Sequence, residues 1–155
     1  MDRNLLFRFV EESNRIENIH RIPSHAELKA TEAFLDRDRI EVLDMMALVK
    51  TYAGADLRDK EGMNVRVGNH VPSSGGPHIK VELEELLLRA NSGDEHPYWV
   101  HQDYETLHPF IDGNGRSGRA LWAWMMLDQG VHPGIRLGFL HCWYYQSLEH
   151  YRIGP

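Results

Sequence analysis

Hydrophobic positions in the first third of the chain recur every three or four residues, the spacing of helices with one buried face. Residues 4–19 carry Leu5, Phe9, Ile16 and Ile19 in this rhythm, and Pro23 lies just beyond. Ser24 is placed to cap a second helix, with Glu27 at the capping-box position and Leu28, Ala30 and Leu35 on its apolar side. A third helix is expected over 39–52, with Val42, Leu43, Met46, Leu48 and Val49 inward and Gly54 at its C-terminal end. The pattern then breaks. Residues 62–77 hold Gly62, Gly68, Gly75, Gly76, Pro72 and Pro77 around the β-prone Asn64, Val65, Arg66 and Val67, which predicts a small hairpin or extended flap. Helical spacing resumes over 81–90, with Leu83, Leu86 and Leu87 on one side. It stops at Asn91, Ser92 and Gly93, and restarts at Pro97 to run to about residue 108. A loop spans 109–113. The strongly apolar stretch 116–129 reads as a central buried helix stopped by Gly130, and 139–151 as a last helix. Trp122, Trp124, Trp143 and Tyr144 belong to the core in this reading.

The elements add up to an all-α, single-domain chain over residues 1–155, a helical bundle with a small β-hairpin flap. A chain of this length buries enough surface to fold without disulfides or structural metal. Its net charge of −6 argues against a general nucleic-acid binder, which would present a basic face. Cys142 is the lone cysteine, so no intrachain disulfide forms; it is expected to be a small buried hydrophobe, a usage that suits a reducing cytoplasm. The charged N-terminal stretch has no apolar run of signal-peptide or membrane-span length, so neither membrane insertion nor secretion by that route is expected. His96, His101, His141 and His150 lack zinc-ligand spacing and are expected to be surface or satisfied core residues. Glu82, Glu84 and Glu85 read as a solvated helix face.

One segment carries chemistry: HPFIDGNGRSGR, residues 108–119. A helix ends at a histidine, a glycine-rich turn follows, and a new helix begins. The N-terminus of a helix offers unpaired N–H groups and positive partial charge, and glycines let a phosphate approach them. Arg116 and Arg119, three residues apart, share a helix face and can grip one phosphate chain. Asp112 beside the loop is placed to hold a Mg²⁺ bridging phosphate oxygens. His108, at the other end, is placed to deprotonate a hydroxyl. Such a set suits phosphoryl or nucleotidyl transfer, where catalysis is mostly positioning and charge stabilisation.

This stretch resembles the signature of the Fic (Fido-superfamily) proteins, H-P-F-x-[DE]-G-N-G-R-x-x-R, and meets every fixed position of it. The resemblance extends over roughly residues 3–150 and implies a Fic-type fold and the transfer of AMP from ATP to a Ser, Thr or Tyr hydroxyl of a target protein. It implies that His108 is the base, that Asp112 ligates Mg²⁺, and that Gly113, Asn114 and Gly115 form the anion hole. Arg116 would bind the phosphates and Arg119 the γ-phosphate; Phe110 would anchor the loop in the core. The flap at Asn64, Val65, Arg66 and Val67 would dock the target by strand addition, though it is short, glycine-rich and without an aromatic residue. Residues 13–18, SNRIEN, are similar to the inhibitory pattern [ST]-x-x-x-E-[GN] of such proteins. That similarity implies that Glu17, one turn from Ser13, pairs with Arg119 and blocks the γ-phosphate site.

Two other readings stand beside this one. The same fold serves a different donor, giving UMP, phosphocholine or phosphate transfer; or the chain is a nonenzymatic nucleotide-binding or toxin–antitoxin-type module silenced by Glu17. Self-association and self-modification are expected of the family, the candidate tyrosines being Tyr52, Tyr98, Tyr104, Tyr144, Tyr145 and Tyr151, with none favoured. The sequence leaves the target and the base specificity open.

Overall fold

The computed structural model describes residues 2–130. The helix expected over 139–151, with His141, Cys142, Trp143, Tyr144 and His150, lies outside them. Among the described residues there are six helices: α1 (Arg3–Ile16), α2 (His25–Leu35), α3 (Val42–Ala53), α4 (Pro77–Ser92), α5 (Pro97–Leu107) and α6 (Asn114–Asp128). The all-α architecture is as expected. None of these helices is long and apolar enough to cross a membrane.

Helix α6 is the axis of the bundle and packs against all five others. From Ala120 to Met126 every residue is buried, because neighbours surround the helix on all sides. The core around it gathers Phe9 and Val10 of α1, Phe34 of α2, Met45 and Val49 of α3, Leu83 of α4 and Tyr104 of α5.

Local chemistry sets most boundaries. Asp2 caps α1 by accepting the Leu5 N–H at 2.9 Å. This helix ends at Ile16, three residues sooner than its hydrophobic spacing suggests, because Asn18 turns left-handed (φ 60°). An Asn side chain tolerates that conformation better than most. The buried face of α1 is Leu6, Phe9, Val10, Ser13, Asn14 and Ile16, so Phe9 and Ile16 are inward as expected while Leu5 is only half-buried. Ser24 and Glu27 form the expected capping box of α2, the Glu27 N–H donating to Ser24 Oγ at 3.1 Å and the Ser24 N–H to Glu27 Oε2 at 2.7 Å. On α3 the register differs from expectation. Met45 and Tyr52 are buried with Val42, Leu48 and Val49, while Leu43 is 74% and Met46 37% exposed. Gly54 ends that helix with φ 63°. Helix α4 begins at Pro77, four residues earlier than expected, since proline needs no partner for its nitrogen at a first helical position.

The flap is a hairpin of one rung. Val67 and His70 exchange both backbone hydrogen bonds at 2.9 Å around Gly68 and Asn69, and Asn64, Val65 and Arg66 pair with no strand. Asn64 instead closes the base of the flap, its Oδ1 accepting the Gly75 N–H at 3.0 Å. A second bridge, Leu57 with Phe110, ties the chain entering the flap to the loop between α5 and α6.

Candidate active site

The loop between α5 and α6 is built from within. His108 caps α5 in a left-handed conformation (φ 51°, ψ 63°), which turns the chain sharply out of the helix. Phe110 is wholly buried and anchors the turn, as expected. Asn114 closes it: its Oδ1 accepts the Phe110 N–H at 2.9 Å and its Nδ2 donates to the Phe110 carbonyl at 2.8 Å. The Asn114 side chain is therefore a clasp within the loop. Gly113 has φ 80°, and a Cβ there would also press on Ala53 at 3.0 Å. Two constraints thus favour glycine at this position.

The first intrahelical bond of α6 runs from the Ser117 N–H to the Gly113 carbonyl. The amides of Asn114, Gly115 and Arg116 precede it, so they are the open donors of the helix end. The Gly113 amide donates to Asp112 Oδ1 at 2.7 Å. The set of open amides is thus shifted one residue along the chain from the glycine–asparagine–glycine trio expected from the sequence.

Both arginines turn inward. Arg119 is 1% exposed and reaches back to α1. Its Nε donates to Ser13 Oγ at 2.8 Å, and its Nη2 donates to the Ser13 carbonyl at 2.9 Å and to Glu17 Oε1 at 2.8 Å. The Glu17 carboxylate lies over the start of α6, so close that a Cβ on Gly115 would collide with Glu17 Oε1. A carboxylate thus sits at the open helix end, on the arginine expected to take the γ-phosphate.

Arg116 is 6% exposed and stacks over the Tyr52 ring, its guanidinium carbon 5.4 Å from the centroid. Among the described residues its Nε and Nη1 find no hydrogen-bond acceptor; the Glu27 carboxylate faces Nη1 from 3.9 Å. Burial pushes the guanidinium below its ordinary pKa, while the charges of Glu17, Asp112 and Glu27 act the other way. A buried cation with idle donors is costly, and a phosphate group would be a fitting acceptor for them.

The residues also fit magnesium. Asp112 is exposed beside the open helix end, its Oδ1 steadied by the Gly113 amide and its other oxygen without a hydrogen-bond partner among the described residues. No group of three or more metal-ligating side chains gathers among those residues. Magnesium keeps several waters and takes one or two carboxylates plus phosphate oxygens, so one such ligand suffices when a nucleotide brings the rest.

Three participants were not legible in the sequence as site residues. Tyr52 underlies Arg116 and is held by a hydrogen bond to Thr31; burial raises its hydroxyl to about 12. Glu27 is more than a cap: Arg21 grips it bidentately at 2.7 and 2.9 Å and holds it well below the usual carboxylate range, at about 2. Arg58 clamps the start of the loop through the Leu107 and His108 carbonyls. Only Glu27 left a signal, as the capping residue of α2. The four flap residues are not joined to the loop by their own side chains among the contacts described.

Comparison with known proteins places the chain in a family. Residues 12–126 match the family model described as the Fic/DOC family. The chain is 35% identical over 77 residues to the protein adenylyltransferase Fic of Drosophila persimilis, covering 46% of this chain and 15% of that relative. It is 33% identical over 91 residues to the same-named protein of Drosophila grimshawi, covering 55% of this chain and 19% of the relative. The chain thus spans less than a fifth of the length of these curated relatives. A match over residues 12–126, with the 108–119 loop inside it and shaped as described, makes this chain a member of the Fic/DOC family.

Proposed function

We propose that the protein is an adenylyltransferase that moves AMP from ATP to a hydroxyl of a target protein, and that Glu17 restrains it. The observation that carries this reading is the pairing of two buried arginines with the open end of α6: Arg116 with unfilled donors, and Arg119 holding a carboxylate where a terminal phosphate would bind.

In this reading the triphosphate lies across the amides of Asn114, Gly115 and Arg116. Arg116 takes the inner phosphates and Arg119 the γ-phosphate, which fixes the α-phosphorus for in-line attack. Bound on Asp112, Mg²⁺ would neutralise charge building on the α- and β-phosphate oxygens. His108 accepts the proton of the acceptor hydroxyl as its oxygen bonds to the α-phosphorus; the bond from the α-phosphorus to the bridging oxygen breaks, and pyrophosphate leaves with that electron pair. The flap, residues 64–67, holds the target as an added strand. Glu17 competes because a carboxylate and a phosphate want the same guanidinium.

Intact mass spectrometry of the protein incubated with Mg·ATP tests the reading. Glu17→Gly is expected to gain the mass of one or more AMP groups faster than the parent, and His108→Ala in that background to gain none. A gain of phosphate alone would replace the reading by kinase chemistry. Nucleotide binding without any mass change, on the protein or on an added target, would leave a binding module.

A further inference from the structure

Arg58 is the largest wholly buried side chain described, and among the described residues no carboxylate pairs with it. Its guanidinium is satisfied by backbone carbonyls alone. Nε donates to His108 O at 2.7 Å and Nη2 to Leu107 O at 2.9 Å, while Nη1 donates to Met63 O at 3.1 Å and Ser73 O at 2.9 Å. One edge of the planar group thus holds the end of α5, and the other spans both limbs of the flap. The main chain of the same residue continues the link. Its N–H donates to Pro109 O at 2.8 Å, and its carbonyl accepts the Gly76 N–H at 3.0 Å, at the start of α4.

Stability alone does not account for this arrangement. Burying a cation without a counter-ion is costly, and neutral carbonyls offset that only in part. What the guanidinium supplies is a rigid fork whose donor directions are fixed, which no other side chain offers. The fork falls on the one non-glycine residue of the loop held in a left-handed conformation, His108.

We propose that Arg58 is a positioning residue that locks the flap and the His108 backbone into one rigid unit, so that a hydroxyl delivered along the flap meets the imidazole in register. This role rests on the transferase reading of the site. A target added to residues 64–67 is then referenced to the base through the Arg58 fork, beside the His70 Nε2 contact with the Thr106 carbonyl at 3.0 Å, and the geometry survives whichever residues the target presents.

The test uses the full chain in the Glu17→Gly background. Arg58→Lys keeps the charge and loses the fork. It is expected to lower the rate of AMP transfer at least tenfold while Mg·ATP affinity, measured by calorimetry, stays within twofold. The His108 imidazole NMR signal, assigned by its loss in His108→Ala, is expected to shift or broaden, while those of His20 and His96 stay in place. An unchanged rate, an unmoved His108 signal, or a parallel loss of nucleotide affinity would overturn the proposal. Where Arg58→Lys does not fold, Arg58→Gln, which keeps two N–H donors and removes the buried charge, takes its place. Failure of both to fold assigns Arg58 to stability and also overturns it. If the Glu17→Gly parent transfers no AMP, the transferase reading fails, while the imidazole signal still decides whether Arg58 positions His108.

Discussion

Gly115 shows how narrow the choice of residue is at this site. It lies in the first turn of α6, where alanine is still the better helix former, so propensity alone argues for replacing it. A Cβ would meet Glu17 Oε1 and come within 3.1 Å of Arg119 Nη1. With Glu17 away, that space belongs to a phosphate in the proposed mechanism. Gly115→Ala in the Glu17→Gly background is therefore expected to weaken Mg·ATP binding at least tenfold by calorimetry, with no loss of thermal stability. Unchanged affinity would place the phosphates elsewhere. The residues proposed to face the ligand could be picked from the sequence because they are packed into twelve consecutive positions, where order along the chain is nearly order in space. The residues that hold them were not. Tyr52, Glu27 and Arg58 reach the site from α3, α2 and the chain before the flap, and no local pattern announces a contact made only by tertiary packing. Ser13 shows the intermediate case: one turn from Glu17, it was readable as its neighbour, but its double grip on Arg119 through Oγ and carbonyl was not.

Among the elements, α2 and its approach do three jobs at once. Glu27 completes the capping box, anchors Arg21 of the connection from α1, and faces Arg116. Arg21, and behind it the Ser24 amide, hold the Glu27 carboxyl at about 2, against an opposing push from burial. The folded chain therefore binds this proton less readily than the unfolded chain. Stability from the group is intact above about pH 4.5 and is lost as the pH falls through about 2. Urea unfolding across that window should show stability declining with acidity, and Glu27→Gln should be less stable at neutral pH with a flatter profile. A parallel profile in the variant would mean that other carboxylates govern the acid limb. Helix existence was readable for all six described helices, and the errors have identifiable causes. The run Val42 to Val49 is apolar at so many positions that two helical faces compete, and tertiary packing chose Met45 over Leu43 and Met46. At α4, a proline and two glycines suggested loop, yet Pro77 opens the helix directly behind Gly76. The first limb of the flap alternates Met63, Val65 and Val67, but the partner for a further rung opposite Val65 is Pro72, which has no N–H to give, so the pairing is a single rung.

For the whole molecule, the proposed function gives the open end of one buried helix two claimants, the Glu17 carboxylate and a phosphate. Helix α6 is held by every other described helix, so its N-terminus is a fixed point, while α1, which makes only part of that contact, carries the carboxylate that sits there. In the proposed function this arrangement suits a restrained enzyme, since a carboxylate carried on α1 can leave without disturbing the buried end of α6. The measurement that bears most directly on this is the crystal structure of the Glu17→Gly protein with Mg·ATP. The expected result is the triphosphate across the amides of residues 114–116, the metal on Asp112, and the γ-phosphate on Arg119 in the place the Glu17 carboxylate now takes. A nucleotide seated away from that helix end, or one whose phosphates leave both Arg116 and Arg119 untouched, would contradict it.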